Sequence, residues 1–130
     1  MSLAPILAAP LLVQVHLALA MISRVSGTLV LFAKKGTAFH RKLGSIFVAT
    51  MLCVAATSFW ITDLRAGAFS PIHILSMVLL VALPIAIWLR RRNNIRGHAI
   101  GMVFNCVGLV VAVAFTLAPP RIVGAALFGN

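Results

Sequence analysis

The sequence predicts an all-α membrane protein, an up-down bundle of four transmembrane helices with both termini outside (N-out, C-out), and three observations carry that prediction. Apolar residues make up 62% of the chain and charged ones only 9%, a surface that a soluble fold has no means to hide. The apolar residues fall into runs of about 20, the length of one bilayer crossing, and 130 residues accommodate four of these as a single domain over 1–130. Most of the eleven Lys and Arg fall in two short clusters between runs, Lys34, Lys35, Arg41 and Lys42, then Arg90, Arg91, Arg92 and Arg96. That is the positive-inside pattern, and it sets the orientation.

Taken in order, the first span is expected at about 8–32. No basic residue precedes it and it ends in a basic cluster instead of a small-residue cleavage site, so it reads as retained and not as a signal peptide. The second is expected at 40–62. The third, at 71–89, starts on Pro71, which suits a first helical turn, and the fourth, at 98–118, is stopped by Pro119-Pro120. With both basic turns cytoplasmic, the N-terminus, the loop around Asp63 and Arg65, and the tail from Arg121 to Asn130 are expected outside. Trp60 and Trp88 read as interfacial anchors. Cys53 and Cys106 lie inside spans without a metal or redox spacing and read as packing residues.

The net charge of +10, with Asp63 the one acid, would in a soluble protein point to nucleic acid. Here the basic clusters have no interleaved aromatic residues, so acidic lipid head groups are the expected counterpart and no nucleic-acid partner is expected. A multi-pass protein of a bacterial cytoplasmic (inner) membrane, embedded in the lipid bilayer, is the location that follows.

The chain also carries an internal repeat. "PLLVQVHLALAM" aligns with "FSPIHILSMVLL", and "FHRKLGSIFV" with "GHAIGMVFN". Each half reads as a histidine in the outer part of one helix, a basic turn, then a histidine followed within four residues by glycine. The intervals are 24 residues from His16 to His40 and 25 from His73 to His98, as expected of two repeated helical hairpins. By helix rise, His16 and His73 each lie roughly 25 Å above the basic loop that follows them, in a common outer layer. His40 and His98 abut those loops in an inner layer. The members of each layer belong to diagonally opposite helices, about 14 Å apart for neighbours spaced at about 10 Å.

Two imidazoles on a diagonal, with no carboxylate and no paired thiols, suit few inorganic partners. Zinc takes three or four protein ligands and hard cations take oxygens. Haem iron needs only two axial groups, and histidine is a common one. Two haems b are therefore expected, the outer iron between His16 and His73 and the inner between His40 and His98. Small residues on the histidine faces would leave room for a ring edge: Ala20, Ser23 and Gly27 after His16, Gly44 after His40, and Gly101 after His98. Met77 and Leu80 occupy the equivalent places after His73. Singly, any of these histidines reads equally as a satisfied interface residue; as matched pairs within spans they read as functional.

Arg24 falls near mid-membrane, and two readings of it stand side by side. It is a partner for a haem propionate or a quinone oxygen, or else an arginine capped by carbonyls or facing another subunit. Asn105, seven residues beyond His98 on the same face, is a polar neighbour at similar depth or a helix-to-helix hydrogen bonder. Arg65 and Arg121 read as solvated charges before propionate partners.

The four-histidine pattern, with "KKGTAFHRKLG", "FSPIHILS" and "FTLAPPRIVGAALFG", resembles the small bacterial membrane proteins grouped as domain of unknown function 2306. The resemblance spans nearly the whole chain and implies membrane location without an activity. The layout is also similar to that of di-haem four-helix membrane cytochromes b, which hold two bis-histidine haems and often exchange electrons with quinone. This second likeness is one of architecture. "GHAIG" in the second half stands where the first has "HRKLG", a departure that makes the inner site less symmetric than the repeat.

Two functions of different class follow. One is a membrane electron carrier or small oxidoreductase with two bis-histidine haems, exchanging electrons with quinone or a redox partner. The other is a non-catalytic accessory or pigment-binding subunit of a larger respiratory or photosynthetic complex, an idea motivated by the chain's small size. No carboxylate lies within any span to serve a proton relay, which disfavours a transporter.

Overall fold

A computed structural model describes residues 2–61, 71–117 and 126–128. Among these the chain is helical, with α1 at Ala4–Leu7, α2 at Leu11–Phe32, α3 at Ala38–Ser58, α4 at Pro71–Arg91 and α5 at Ile95–Leu117. The four long helices, α2 to α5, are each long and apolar enough to cross a membrane. Asp63, Arg65, Pro119-Pro120 and Arg121 lie outside the described residues.

The short α1 is not foreseen by hydropathy. It has proline in its first turn and is joined to α2 by Pro10. The Gln14 amide reaches back to the carbonyls of Leu7 at 3.2 Å and Ala9 at 2.8 Å, which gives this polar residue its place at the head of a span. At the other end of α2, the Lys35 ammonium donates to the carbonyls of Val30 at 2.7 Å and Leu31 at 2.8 Å. A cation there satisfies carbonyls that have run out of helical donors and complements the helix dipole.

The turns into α3 and α5 are built alike. Gly36 (φ 82°) and Asn93 (φ 59°) each occupy the left-handed region that glycine and asparagine tolerate best. The residue that follows each caps the next helix: Thr37 Oγ1 accepts from the His40 N–H at 3.2 Å, and Asn94 Oδ1 from the Gly97 N–H at 2.8 Å. These caps explain why α3 and α5 begin two and three residues earlier than the apolar runs suggest. They also place His40 third and His98 fourth after the cap, a one-residue offset that turns the two rings by about 100° relative to their turns.

α3 ends at Ser58, short of the expected 62. The hydroxyls of Thr57 and Ser58 donate to the carbonyls of Cys53 and Ala55 at 2.7 and 2.6 Å. Beyond them the backbone tightens into bonds three residues apart, from Phe59 to Ala56, Trp60 to Thr57 and Ile61 to Ser58. α4 starts on Pro71 as expected but also contains Pro84. Having no N–H, Pro84 leaves the Leu80 carbonyl without its helical donor, a break that membrane helices accommodate.

The helices pack in a ring. The closest pairings are α2 with α3 and α4 with α5, and the α3–α4 and α2–α5 contacts close it, while neither diagonal pair packs closely. Close approach is made at glycines. A Cβ on Gly101 would stand 2.7 Å from the Ala86 side chain, and one on Gly108 2.6 Å from Leu79. This small-residue seam is how membrane helices gain packing energy where lipid offers no hydrophobic drive. Phe47, Met51, Leu79, Leu83 and Leu109 fill the centre, and residues such as Val25, Val81 and Val107 are turned outward.

Candidate functional site

Above and below that apolar centre lie the histidines. At the end of the bundle away from the basic turns, a polar belt crosses three helices. His16 Nδ1 is 2.8 Å from Thr57 Oγ1 on α3. Next to Thr57 in sequence, Ser58 Oγ is hydrogen-bonded to Ser76 Oγ of α4 at 2.7 Å. One turn before Ser76, His73 is 3% exposed, with its ring tilted at 43° against Phe59 and the centroids 6.1 Å apart. Thr57, Ser58 and Ser76 are members of this layer that histidine spacing alone does not reveal. Their signal is present in the sequence, as "ATSF" at the end of the second span and a serine three residues after His73.

The protonation of His16 follows from its partner. Thr57 commits its hydroxyl hydrogen to the Cys53 carbonyl, so its oxygen accepts and His16 Nδ1 donates. Nε2 of His16 then carries the lone pair. His98 reaches the same state by another route, with Nδ1 2.9 Å from the Ala86 carbonyl of α4, an acceptor only. An imidazole whose Nδ1–H is tied to an oxygen and whose Nε2 is left basic is the arrangement that metal-bound histidines adopt.

His40 is held differently. Its Nδ1 is buried without a hydrogen-bond partner, and Lys35, Arg41 and His98 lie within electrostatic range of the ring. The inner pair is thus unequal: His98 presents Nδ1 to the Ala86 carbonyl, whereas the His40 ring meets the Val30 carbonyl and leaves its Nδ1 unmet. The donor chemistry fits axial ligation of haem at His16 and His98, and His73 has the burial of an inward-facing ligand. His40 is the poorest match of the four.

The residues expected to make room for a ring edge have other neighbours. Ser23, fully buried, donates to Thr50 Oγ1 at 2.6 Å across the α2–α3 seam. A Cβ on Gly27 would meet the Phe47 ring at 2.8 Å, so that glycine admits Phe47. Gly101 admits Ala86 in the same way, and Gly44 has only Val30 nearby, at 3.9 Å from an added Cβ. Asn105 is fully buried; its Nδ2 donates to the Gly101 carbonyl at 2.8 Å, while its Oδ1 has no partner. This unmet acceptor in the bundle interior is available to a donor group on a ligand.

Arg24 lies on the outside of the bundle, not between the histidines. It lines a groove of about 270 Å³ together with Gly27, Thr28, Val107 and other residues of α2 and α5, and Phe47 of α3. Its guanidinium has no hydrogen-bond or ion-pair partner among the described residues. A charge at the centre of a membrane helix costs at least about 2.5 kcal/mol.

Cys53 and Cys106 are free thiols, and no cluster of three or more metal-ligating side chains occurs among the described residues. Trp88 holds the Arg92 guanidinium 5.0 Å from its ring centroid, a cation–π contact one turn apart at the basic end of α4.

Four apolar helices around an apolar core define a multi-pass membrane protein. More narrowly, residues 13–127 match the model of the family described as predicted membrane protein (DUF2306), and the chain belongs to that family. No curated protein and no solved structure matches it.

Proposed function

We propose that this protein is a b-type cytochrome-like electron carrier of a bacterial cytoplasmic membrane, with two bis-histidine haems b stacked along the bundle. His16 and His73 would hold the iron of the outer haem, and His40 and His98 that of the inner one. The observation that carries the reading is the Nδ1 hydrogen bond on one histidine of each layer, His16 to Thr57 and His98 to Ala86. Hydrogen bonds of that kind fix ring orientation and raise the basicity of Nε2.

When bound, haem supplies reversible one-electron chemistry with little change in geometry. The protein's part is to orient the imidazoles, keep water out and hold the layers apart. Thr57 and the Ala86 carbonyl do the first. Phe47, Met51, Leu79, Leu83 and Leu109 form an apolar layer between the two histidine levels and do the others. The positive-inside rule orients the protein with its termini outside, so the pair of sites would relay electrons between the faces, with a lipid-soluble quinone as one exchange partner. Duplication of one helical hairpin accounts for the two layers, with the one-residue offset after the caps giving the inner layer its asymmetry.

A second reading, a non-catalytic accessory subunit of a larger respiratory or photosynthetic complex, draws on one specific observation. Arg24 faces outward at mid-span with no partner among the described residues.

Purification in mild detergent followed by oxidised and reduced visible spectra tests the first reading. Paired haem bands with about two haems per chain are expected. Absence of any haem band after haem has been supplied to the expressing cells would end it.

A further inference from the structure

Arg24 is the fourteenth residue of the 22-residue α2, within about 4 Å of the helix midpoint by rise. Its nearer end is the one at Phe32, but the Cα–Cβ bonds of a helix tilt toward the N-terminus, away from that end. The side chain therefore sets out toward the bilayer centre instead of the nearer interface. It is exposed and lacks any partner among the described residues. The chain's single acid, Asp63, belongs to none of the four spans. Beside Arg24 the apolar groove of about 270 Å³ runs between α2 and α5, walled by Leu31, Phe47, Val103, Val107 and Val110.

We propose that the α2–α5 face centred on Arg24 docks a transmembrane helix of another protein, one that carries Asp or Glu at mid-span and apolar side chains to enter the groove. Charge complementarity selects that occupant. A second copy of this chain brings no carboxylate to this depth and would oppose one Arg24 with another. An acidic lipid carries its phosphate at head-group level, about 15 Å from the bilayer centre. A partner carboxylate in the apolar interior does what neither can, because each charge relieves the cost of burying the other. The surface depends on neither histidine layer, so it stands or falls separately from the haem reading.

The test uses the full chain in its native membranes, with a photoreactive benzophenone side chain in place of Val107 and Arg24 left intact. Irradiation is expected to give an adduct whose partner peptide is a transmembrane segment with Asp or Glu within about one turn of the cross-link. Arg24→Gln is expected to lower the adduct yield at least tenfold while circular dichroism and haem content stay unchanged. Replacing the partner's acid by Arg should rescue an Arg24→Glu variant. The proposal is overturned by an adduct to lipid, to a small molecule or to a second copy of this chain. It is equally overturned by a partner segment without an acid at that depth, or by no adduct from a normally inserted protein. Unchanged yield in Arg24→Gln would show that the charge has no part.

Discussion

Thr57→Val isolates the hydrogen bond on which the orientation of His16 depends. Valine keeps the shape of threonine and removes only the hydroxyl, which accepts from His16 Nδ1 at 2.8 Å and donates to Cys53 at 2.7 Å. The Cys53 carbonyl lies mid-helix and keeps its backbone donor, so the loss concentrates on His16. Side-chain hydrogen bonds between membrane helices average about 0.6 kcal/mol and reach about 1.7 kcal/mol. The expected loss of stability is accordingly about 0.6–1.7 kcal/mol, measured by denaturant titration in mixed micelles. A double-mutant cycle with His16→Leu should return a coupling of the same size, because the two residues share one interaction. The effect on haem should be larger, since loss of an outer-shell partner costs about 10–100-fold in metal-site affinity. Titration of the apoprotein with haem, followed by absorbance, reads this directly. Additivity of the two substitutions, together with unchanged haem affinity, would refute the claim that Thr57 orients His16 for ligation.

Other substitutions separate packing from site roles. Gly101→Ala places a methyl 2.7 Å from Ala86 and should destabilise the α4–α5 hairpin by about 1–3 kcal/mol in the same unfolding assay. Gly44→Ala, with its nearest new contact at 3.9 Å, should instead be neutral or stabilising by up to about 1 kcal/mol through helix propensity. Asn105→Leu removes a buried acceptor with no partner together with the Nδ2 bond to the Gly101 carbonyl; the two effects oppose each other and should leave apoprotein stability within about 1 kcal/mol of the parent. A larger apoprotein loss would mean that the Nδ2 bond to Gly101 outweighs the relief of the unmet Oδ1. Reporter fusions at either terminus should show activity characteristic of the outer face, and fusions in the turn at Asn93 should show the cytoplasmic pattern; the reverse would invert the topology.

Much of the fold was legible because hydropathy acts over whole spans. The four long helices lie where the apolar runs predict, and Pro71 opens α4 as its fixed φ suggests. Helix ends were less legible because they depend on single side chains. Thr37 and Asn94 extend α3 and α5 backward, and the hydroxyls of Thr57 and Ser58 shorten α3. α1 is shorter than the reach of any periodicity, and Pro84 within α4 carries no mark that distinguishes it from a helix stop.

At the candidate site, spacing groups the histidines by depth but says nothing of their hydrogen-bond partners. His16 meets Thr57 from 41 residues away, a contact set by the rotation of α2 against α3 that no local pattern encodes. Small residues are ambiguous for the same reason. In sequence Gly27 and Gly101 suit the edge of a ring, yet a glycine opens space equally for a neighbouring helix, and Phe47 and Ala86 lie against them. Arg24 stood out as an anomaly in sequence, but only the packing of α2 against α5 shows that it looks outward.

The central claim is bis-histidine ligation of haem in the outer layer. Low-temperature electron paramagnetic resonance of the oxidised, purified protein tests it most directly, compared among the parent, His16→Ala and His73→Ala. Low-spin ferric signals of bis-imidazole type are expected in the parent, and in each variant one of them should be lost or converted to high spin while the inner signal persists. A spectrum without low-spin haem, or one that neither substitution alters, would contradict the account.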